Sequence, residues 1–302
     1  MLDPYVAARE ELHTLLDFLR FAQSLTRAEN LFYGHGTDNA WDDTLLLILG
    51  SLSLPRDLDP MFWQARLTQD EKNRLSQRLQ QRIKERVPVP YLTNEAYFCD
   101  LTFYVDERVL IPRSPIAELI ETQFSPWIET ENVHHILDLC TGSACIAIAC
   151  CYAFPDALVD AVDISSDALA VAAINQKRHG LEEQLQLLES DVFENLPNKH
   201  YDIIVSNPPY VSHEEMQVLP PEYRHEPKLA LEAEQDGLAV VKRILKQAAH
   251  YLSEQGILIL EVGHSEAALL AAYPTAMFTW LEFARGGQGV FMLTREQLMA
   301  MQ

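Results

Sequence analysis

The feature that most constrains the fold is a change of rhythm from about Val133 onward. Apolar runs of strand length, at 136–139, 158–164, 185–188, 203–205 and 257–262, alternate with helical stretches at 144–152 and 165–179. Gly180 stands where the second helix would stop. Strands separated by helices need crossover connections, so they lie parallel and are covered on both faces. The segment 280–293, broken by Gly286-Gly287 and Gly289, reads as a terminal hairpin. An α/β fold with a mostly parallel sheet is expected. Its ligands should lie beyond the carboxyl ends of the strands, where the strand order reverses.

Residues 1–86 read as helices instead. Leu12, Leu15, Leu16 and Leu19 recur at helical spacing, as do Leu45, Leu46, Ile48 and Leu49. Asp42 and Asp43 suit the positive end of a helix dipole. Arg74, Arg78, Arg82 and Arg86 form an i, i+4 row, expected to be a solvated face or a face packed against the acidic domain, with an RNA- or ribosome-contacting role as the alternative. Val87-Pro88-Val89-Pro90 closes the region, because proline neither donates to a helix nor lets its predecessor be helical. Residues 97–110 alternate like a short hairpin. The expected organisation is a small all-α domain at 1–88, a linker with a hairpin at 89–112, and a larger domain at 113–302. The chain's 302 residues suffice for two such cores.

The N-terminus has no basic start followed by an apolar run, and apolar stretches such as 146–154 are too short to span a bilayer. A cytoplasmic protein with no membrane partner is expected. Cys99, Cys140, Cys145, Cys150 and Cys151 form no close repeated pair, so reduced core thiols and no metal are expected. Residues 1–87 hold 13 acidic and 11 basic side chains, whereas the rest hold 31 and 12, so almost all of the net −21 lies beyond residue 87. Such a surface repels phosphate backbones and attracts basic partners, which argues against a nucleic-acid substrate.

Four turns after strands hold the candidate chemistry. The first is Asp138-Leu139-Cys140-Thr141-Gly142-Ser143-Ala144, a small-residue turn that lets a nucleotide-like ligand approach the backbone, although the G-x-G-x-x-G fingerprint is absent. Asp163 follows Asp138 by 25 positions and suits a ribose diol; it also suits a helix start capped by Ser165. Asp191 suits an adenine amino group, with Phe193 on the ring, or is a plain loop acid. The fourth turn, Asn207-Pro208-Pro209-Tyr210, carries most weight. The Asn207 side-chain oxygen and the Pro208 carbonyl are two acceptors for the N–H groups of a planar amide or amine, whose delocalised nitrogen is a poor nucleophile until it is oriented. Tandem prolines stiffen the turn, and Tyr210 offers a flat face. Arg113 reads either as a ligand-binding cation or as one half of a salt bridge, and Glu261 either as a pocket wall or as a cap. None of the 10 histidines stands out as a general base.

These residues resemble the class I S-adenosylmethionine-dependent methyltransferases that act on exocyclic or amide nitrogen. With a helical front domain, the chain more specifically resembles the HemK-type protein-(glutamine-N5) methyltransferases. Within them Val109-Leu110-Ile111-Pro112-Arg113-Ser114-Pro115-Ile116, the stretch Phe32-Tyr33-Gly34-His35-Gly36-Thr37-Asp38-Asn39-Ala40-Trp41 and Gly286-Gly287-Gln288-Gly289-Val290-Phe291 resemble the branch that methylates ribosomal protein L-three. The release-factor branch typically has an acidic stretch after the arginine, and it is missing here. The resemblance implies a Rossmann-like, mostly parallel seven-stranded sheet, S-adenosyl-L-methionine as cofactor and a basic ribosomal protein as partner. It implies cofactor contacts at Asp138, Cys140, Thr141, Gly142 and Ser143, at Asp163 and Ile164, at Asp191, Val192 and Phe193, and at Asn207. It places substrate contacts at Arg113 and at Asn207, Pro208, Pro209 and Tyr210, the last four also catalytic. Cys140 and Ala144 stand where the wider fold usually has glycine; an alanine methyl crowds the cofactor if that position must be left-handed or approached closely. The rival readings are a release-factor glutamine methyltransferase, an adenine- or guanine-amino methyltransferase and a non-catalytic ribosome-assembly protein.

Overall fold

A computed structural model describes residues 3–234 and 237–301, which form two compact units. The first runs up to Ala96 and includes Val105–Glu107 and Pro220–His225. It contains helices α1 (Pro4–Glu11), α2 (Leu15–Ala28), α3 (Ala40–Ser51), α4 (Gln69–Gln80) and α5 (Val89–Thr93). Thr14 and Asp17 make a capping box for α2, Thr68 and Glu71 another for α4, and Asn39 caps α3. The apolar faces meet in a core that includes Phe18, Leu19, Leu47, Leu75, Leu79 and Ile83.

The arginine row divides. An i, i+4 row drifts about 40° per step around a 3.6-residue helix. Arg74 is exposed and Arg78 half-buried within α4, while Arg82, in the π-helical turn Gln81–Glu85 that follows, lies inside the core at 2% exposure. Arg82 Nε meets Asp43 Oδ2 at 2.8 Å, its Nη1 meets Glu222 Oε1 at 3.4 Å, and its Nη2 donates to the Phe32 carbonyl at 2.8 Å. A solvated face is thus the wrong reading at Arg82. Asp43 lies in the first turn of α3, as its charge suggested, but its carboxylate is spent on this buried pair.

The second unit holds Tyr97–Tyr104, Arg108–Leu219 and the residues from Glu226 onward. The short strands β1 (Ala96–Phe98) and β2 (Leu101–Phe103) pair with each other, so the expected hairpin stops well short of residue 110. The main sheet contains β3 (His135–Leu139), β4 (Leu158–Asp163), β5 (Leu185–Glu189), β6 (Tyr201–Ser206), β7 (Leu252–Glu261), β8 (Thr279–Trp280) and β9 (Val290–Thr294), in the order β5-β4-β3-β6-β7-β9-β8. The first five of these strands are parallel; β9 runs antiparallel to both β7 and β8, which gives the expected terminal hairpin.

Successive strand residues point to opposite faces. Ile136, Ile203 and Ile257 enter one core with α6 (Ile116–Glu121) and α7 (Cys145–Ala153), together with Ala172 of α8 (Ser166–His179). Leu137, Ile204 and Leu258 enter the other. That second core also receives residues of α11 (Ala239–Tyr251), α12 (Glu266–Ala272) and α13 (Arg295–Ala300), while α9 (His213–Val218) and α10 (Lys228–Leu231) are short surface helices. Burial on both faces is why the strands read as continuous apolar runs. Among the described residues no helix is long and apolar enough to cross a membrane.

Candidate active site

Strand order reverses between β3 and β6, and the turns after β3, β4, β5 and β6 line one cavity of about 260 Å³. The turn after β3 takes three left-handed residues, Cys140 (φ 59°), Gly142 (φ 56°) and Ala144 (φ 63°). This exposes backbone N–H groups to the neighbouring turn. Gly142 N donates to Asp163 Oδ2 at 2.8 Å, and Asp163 Oδ1 accepts from Ser165 N at 2.9 Å. Burial raises the Asp163 carboxyl above its ordinary range, against the pull of these backbone donors. Each oxygen keeps lone-pair capacity for a further donor.

Asp138 lies behind that turn. Its Oδ2 accepts from Thr141 Oγ1 at 2.5 Å and from Ala147 N at 3.2 Å, while Oδ1 is buried with no partner among the described residues. Burial pushes its carboxyl up to about 7. The Ser143 carbonyl accepts from Asn175 Nδ2 at 2.9 Å, which pins the turn to α8. Ala144 does adopt the left-handed conformation, but its methyl packs into the core beside Ala147 and Ile148 and does not line the cavity.

On the third turn Asp191 Oδ1 pairs with Arg243 Nη1 at 2.8 Å, and both line the cavity. Val192 takes a left-handed φ of 56°, rare for a β-branched residue, and forms part of the wall. Phe193 faces the core, stacked on Tyr251 with ring centroids 4.6 Å apart. The cavity thus gathers Cys140, Gly142, Asp163, Ile164, Asp191, Val192 and Asn207. Asp138, Thr141, Ser143 and Phe193 support it from behind. Arg243, Leu229 and Ala230 line it without any warning in the sequence, since they come from distant helices with no motif of their own.

Asn207 and Pro209 line the same cavity, Pro208 is buried, and Tyr210 is half-buried just beyond the lining. Asn207 Nδ2 donates to the Arg113 carbonyl at 3.5 Å, which leaves Oδ1 as the open acceptor. Among the described residues the Pro208 carbonyl, next in the chain, accepts no backbone hydrogen bond. The Arg113 guanidinium grips Glu226 with two bonds of 2.6 and 2.7 Å, the salt-bridge geometry among the two readings of that residue. The Tyr210 hydroxyl donates to Glu261 Oε1 at 2.9 Å. Its ring lies where a Cβ on Gly263 would come within 2.4 Å, so glycine is needed there for the close approach.

The residues present suit a nucleoside bearing a cationic sulfur. Two carboxylates and open backbone meet apolar walls, and Ile164 and Leu229, which line the cavity, are 50% and 57% exposed and so offer apolar surface for a ligand to cover.

Residues 123–220 match the Methyltransferase small domain. The chain is 50% identical over 293 residues to the ribosomal protein uL3 glutamine methyltransferase of Neisseria meningitidis serogroup B, covering 97% of this chain and 96% of that protein. It is 47% identical over 289 residues to the protein of the same name from Francisella tularensis, covering 95% and 92%. Among solved structures, the catalytic domain of hMettl16 in complex with a MAT2A 3'UTR hairpin has the same fold (TM-score 0.50, 18% identity, 64% of this chain and 74% of that one).

Proposed function

The chain belongs to the ribosomal protein uL3 glutamine methyltransferase family, and we propose on that premise that it methylates the side-chain amide nitrogen of a glutamine in ribosomal protein uL3. The observation that carries the reading is the open acceptor Asn207 Oδ1, set at the cavity shared by Cys140, Gly142 and Asp163, with the Pro208 carbonyl next to it in the chain.

S-Adenosyl-L-methionine supplies an electrophilic sulfonium methyl group when bound. Asp163 would hold the ribose hydroxyls and Asp191 the adenine amino group, while Cys140, Gly142 and the apolar Ile164 and Val192 shape the walls. On the acceptor side, Asn207 Oδ1 and the Pro208 carbonyl each take one N–H of the glutamine amide. This fixes the nitrogen's orientation and concentrates electron density on it. Tyr210 and Pro209 confine the amide plane. The methylated nitrogen then loses its extra proton to water, so no side chain needs to act as a strong base. The acidic character of residues beyond 87 suits a basic ribosomal protein, met in the cytoplasm before rRNA buries the loop.

The test offers radiolabelled S-adenosylmethionine with free uL3, a peptide release factor and DNA in parallel. Label is expected on a uL3 glutamine alone. Label confined to DNA or to release factor would overturn the assignment.

A further inference from the structure

Glu261 closes β7 and is 4% exposed, and the transfer described above makes no use of it. Its two oxygens have separate tasks. Oε1 accepts from the Tyr210 hydroxyl at 2.9 Å, and Oε2 accepts from Ser114 Oγ at 2.5 Å. Ser114 Oγ also accepts from Ile116 N at 3.2 Å, which locks it into the start of α6. One residue earlier, the Arg113 carbonyl receives Asn207 Nδ2. The strap at 113–116 is therefore tied to the acceptor turn at two points, directly through Asn207 and through Glu261 to Tyr210.

A buried carboxylate is expensive, and leucine or methionine would pack at less cost. Burial pushes the Glu261 carboxyl up to about 7, against the pull of Ser114, Tyr210 and the Arg113 charge. Its register partner on β9, Val290, brings no charge. A group kept in so unfavourable a place, with one oxygen bonded to the acceptor turn and the other to the strap at 113–116, has a geometric task.

We propose that Glu261 is a positioning residue: it holds the Tyr210 ring through the phenol and couples that ring to the Ser114 strap, so that the acceptor amide meets a preset plane. The proposal rests on the reading of Tyr210 as a wall of the amide site. Glu261 touches neither substrate nor cofactor in this role.

The test uses the full chain with S-adenosylmethionine and free uL3, once the wild-type protein has been shown to label glutamine; that first step judges the function and not Glu261. Glu261→Ala and Tyr210→Phe are each expected to lower kcat about tenfold, since small misplacements of reacting groups cost that much or more. Cofactor dissociation constants should stay unchanged. The double variant should be no slower than the slower single variant, because both remove one linkage. Glu261→Gln keeps an acceptor for the phenol and should recover most of the rate. Losses that multiply in the double variant, or a Gln variant no better than Ala, would overturn the proposal. If Glu261→Ala does not fold, the same cycle is run with Ser114→Ala, where independence from Tyr210→Phe has the same force.

Discussion

The two halves of the site are held by different means. On the cofactor side most of the supporting bonds are close in sequence or between adjacent strands, as from Asp138 to Thr141, Asp163 to Ser165 and Gly142 to Asp163, with Arg243 to Asp191 and Asn175 to Ser143 as distant additions. On the acceptor side most are distant: Asn207 to Arg113, Arg113 to Glu226, Tyr210 to Glu261, Glu261 to Ser114. The cofactor side is thus largely a property of strand ends in a parallel sheet. The acceptor side is a property of the folded whole, and an error anywhere in that chain of bonds reaches the reacting nitrogen.

If the halves are separable, damage to one should spare the other. Asn207→Ala should lower kcat by about a hundredfold or more, the scale of losing one preorganised partner of a reacting group. Its cofactor dissociation constant by calorimetry should match wild type; a weakened constant would merge the halves. Asp163→Asn should do the reverse, weakening cofactor binding by about 2 kcal/mol, the scale of a lost hydrogen bond to a charged group. Turnover at saturating cofactor should then be close to wild type.

A third comparison uses pH. Asp138 is buried with its carboxyl near 7, above an ordinary value of about 4. Between those values the folded protein holds a proton that the unfolded chain releases. Stability should therefore be greatest below the unfolded value and fall as pH rises, by at most about 1.4 kcal/mol per pH unit, levelling off above 7. Glu261 adds a slope of the same sign on the acceptor side. Urea denaturation of Asp138→Asn between pH 5 and 8 should show a shallower slope than wild type, with the Glu261 share remaining. The smallest effect belongs to Ala144→Gly. Relief of a left-handed alanine, about 1 kcal/mol, opposes the loss of a buried methyl, about 0.8 kcal/mol, so the midpoint should barely move. A large loss of cofactor affinity in that variant would show that Ala144 shapes the cavity after all.

The same contrast explains what could be read from the sequence. The strands, the glycine stop at Gly180 and the acidic residues at strand ends were legible because they obey local rules of period, cap and turn. Asn207-Pro208-Pro209-Tyr210 stood out because it follows a strand, and Asn207 and Pro209 do line the cavity at that sheet edge. Arg243 was not, since nothing along α11 says which of its cations will reach Asp191. Phe193 was expected against a ligand ring, and its neighbour's left-handed backbone turns it to the core instead. No local feature marks Glu222, which comes from a loop far along the chain to meet Arg82. Side-chain partners separated by a hundred residues leave no periodic trace.

The placement of β9 beside β7 bears on the order in which the molecule becomes competent. Gly289 must be bare for its backbone to pass the Gly263 carbonyl, and the Gly289 carbonyl receives Val262 N at 2.7 Å, next to Glu261. Asp163 and Asp191, which would meet the nucleoside, are made first, while Asn207, Leu229, Ala230 and Arg243 of the same cavity come later. The tyrosine's anchor, Glu261, follows Asp191 by 70 residues, and its register partner Val290 comes later still. A chain leaving the ribosome N-terminus first therefore makes the carboxylates for a methyl donor well before the anchor that would present an acceptor to it.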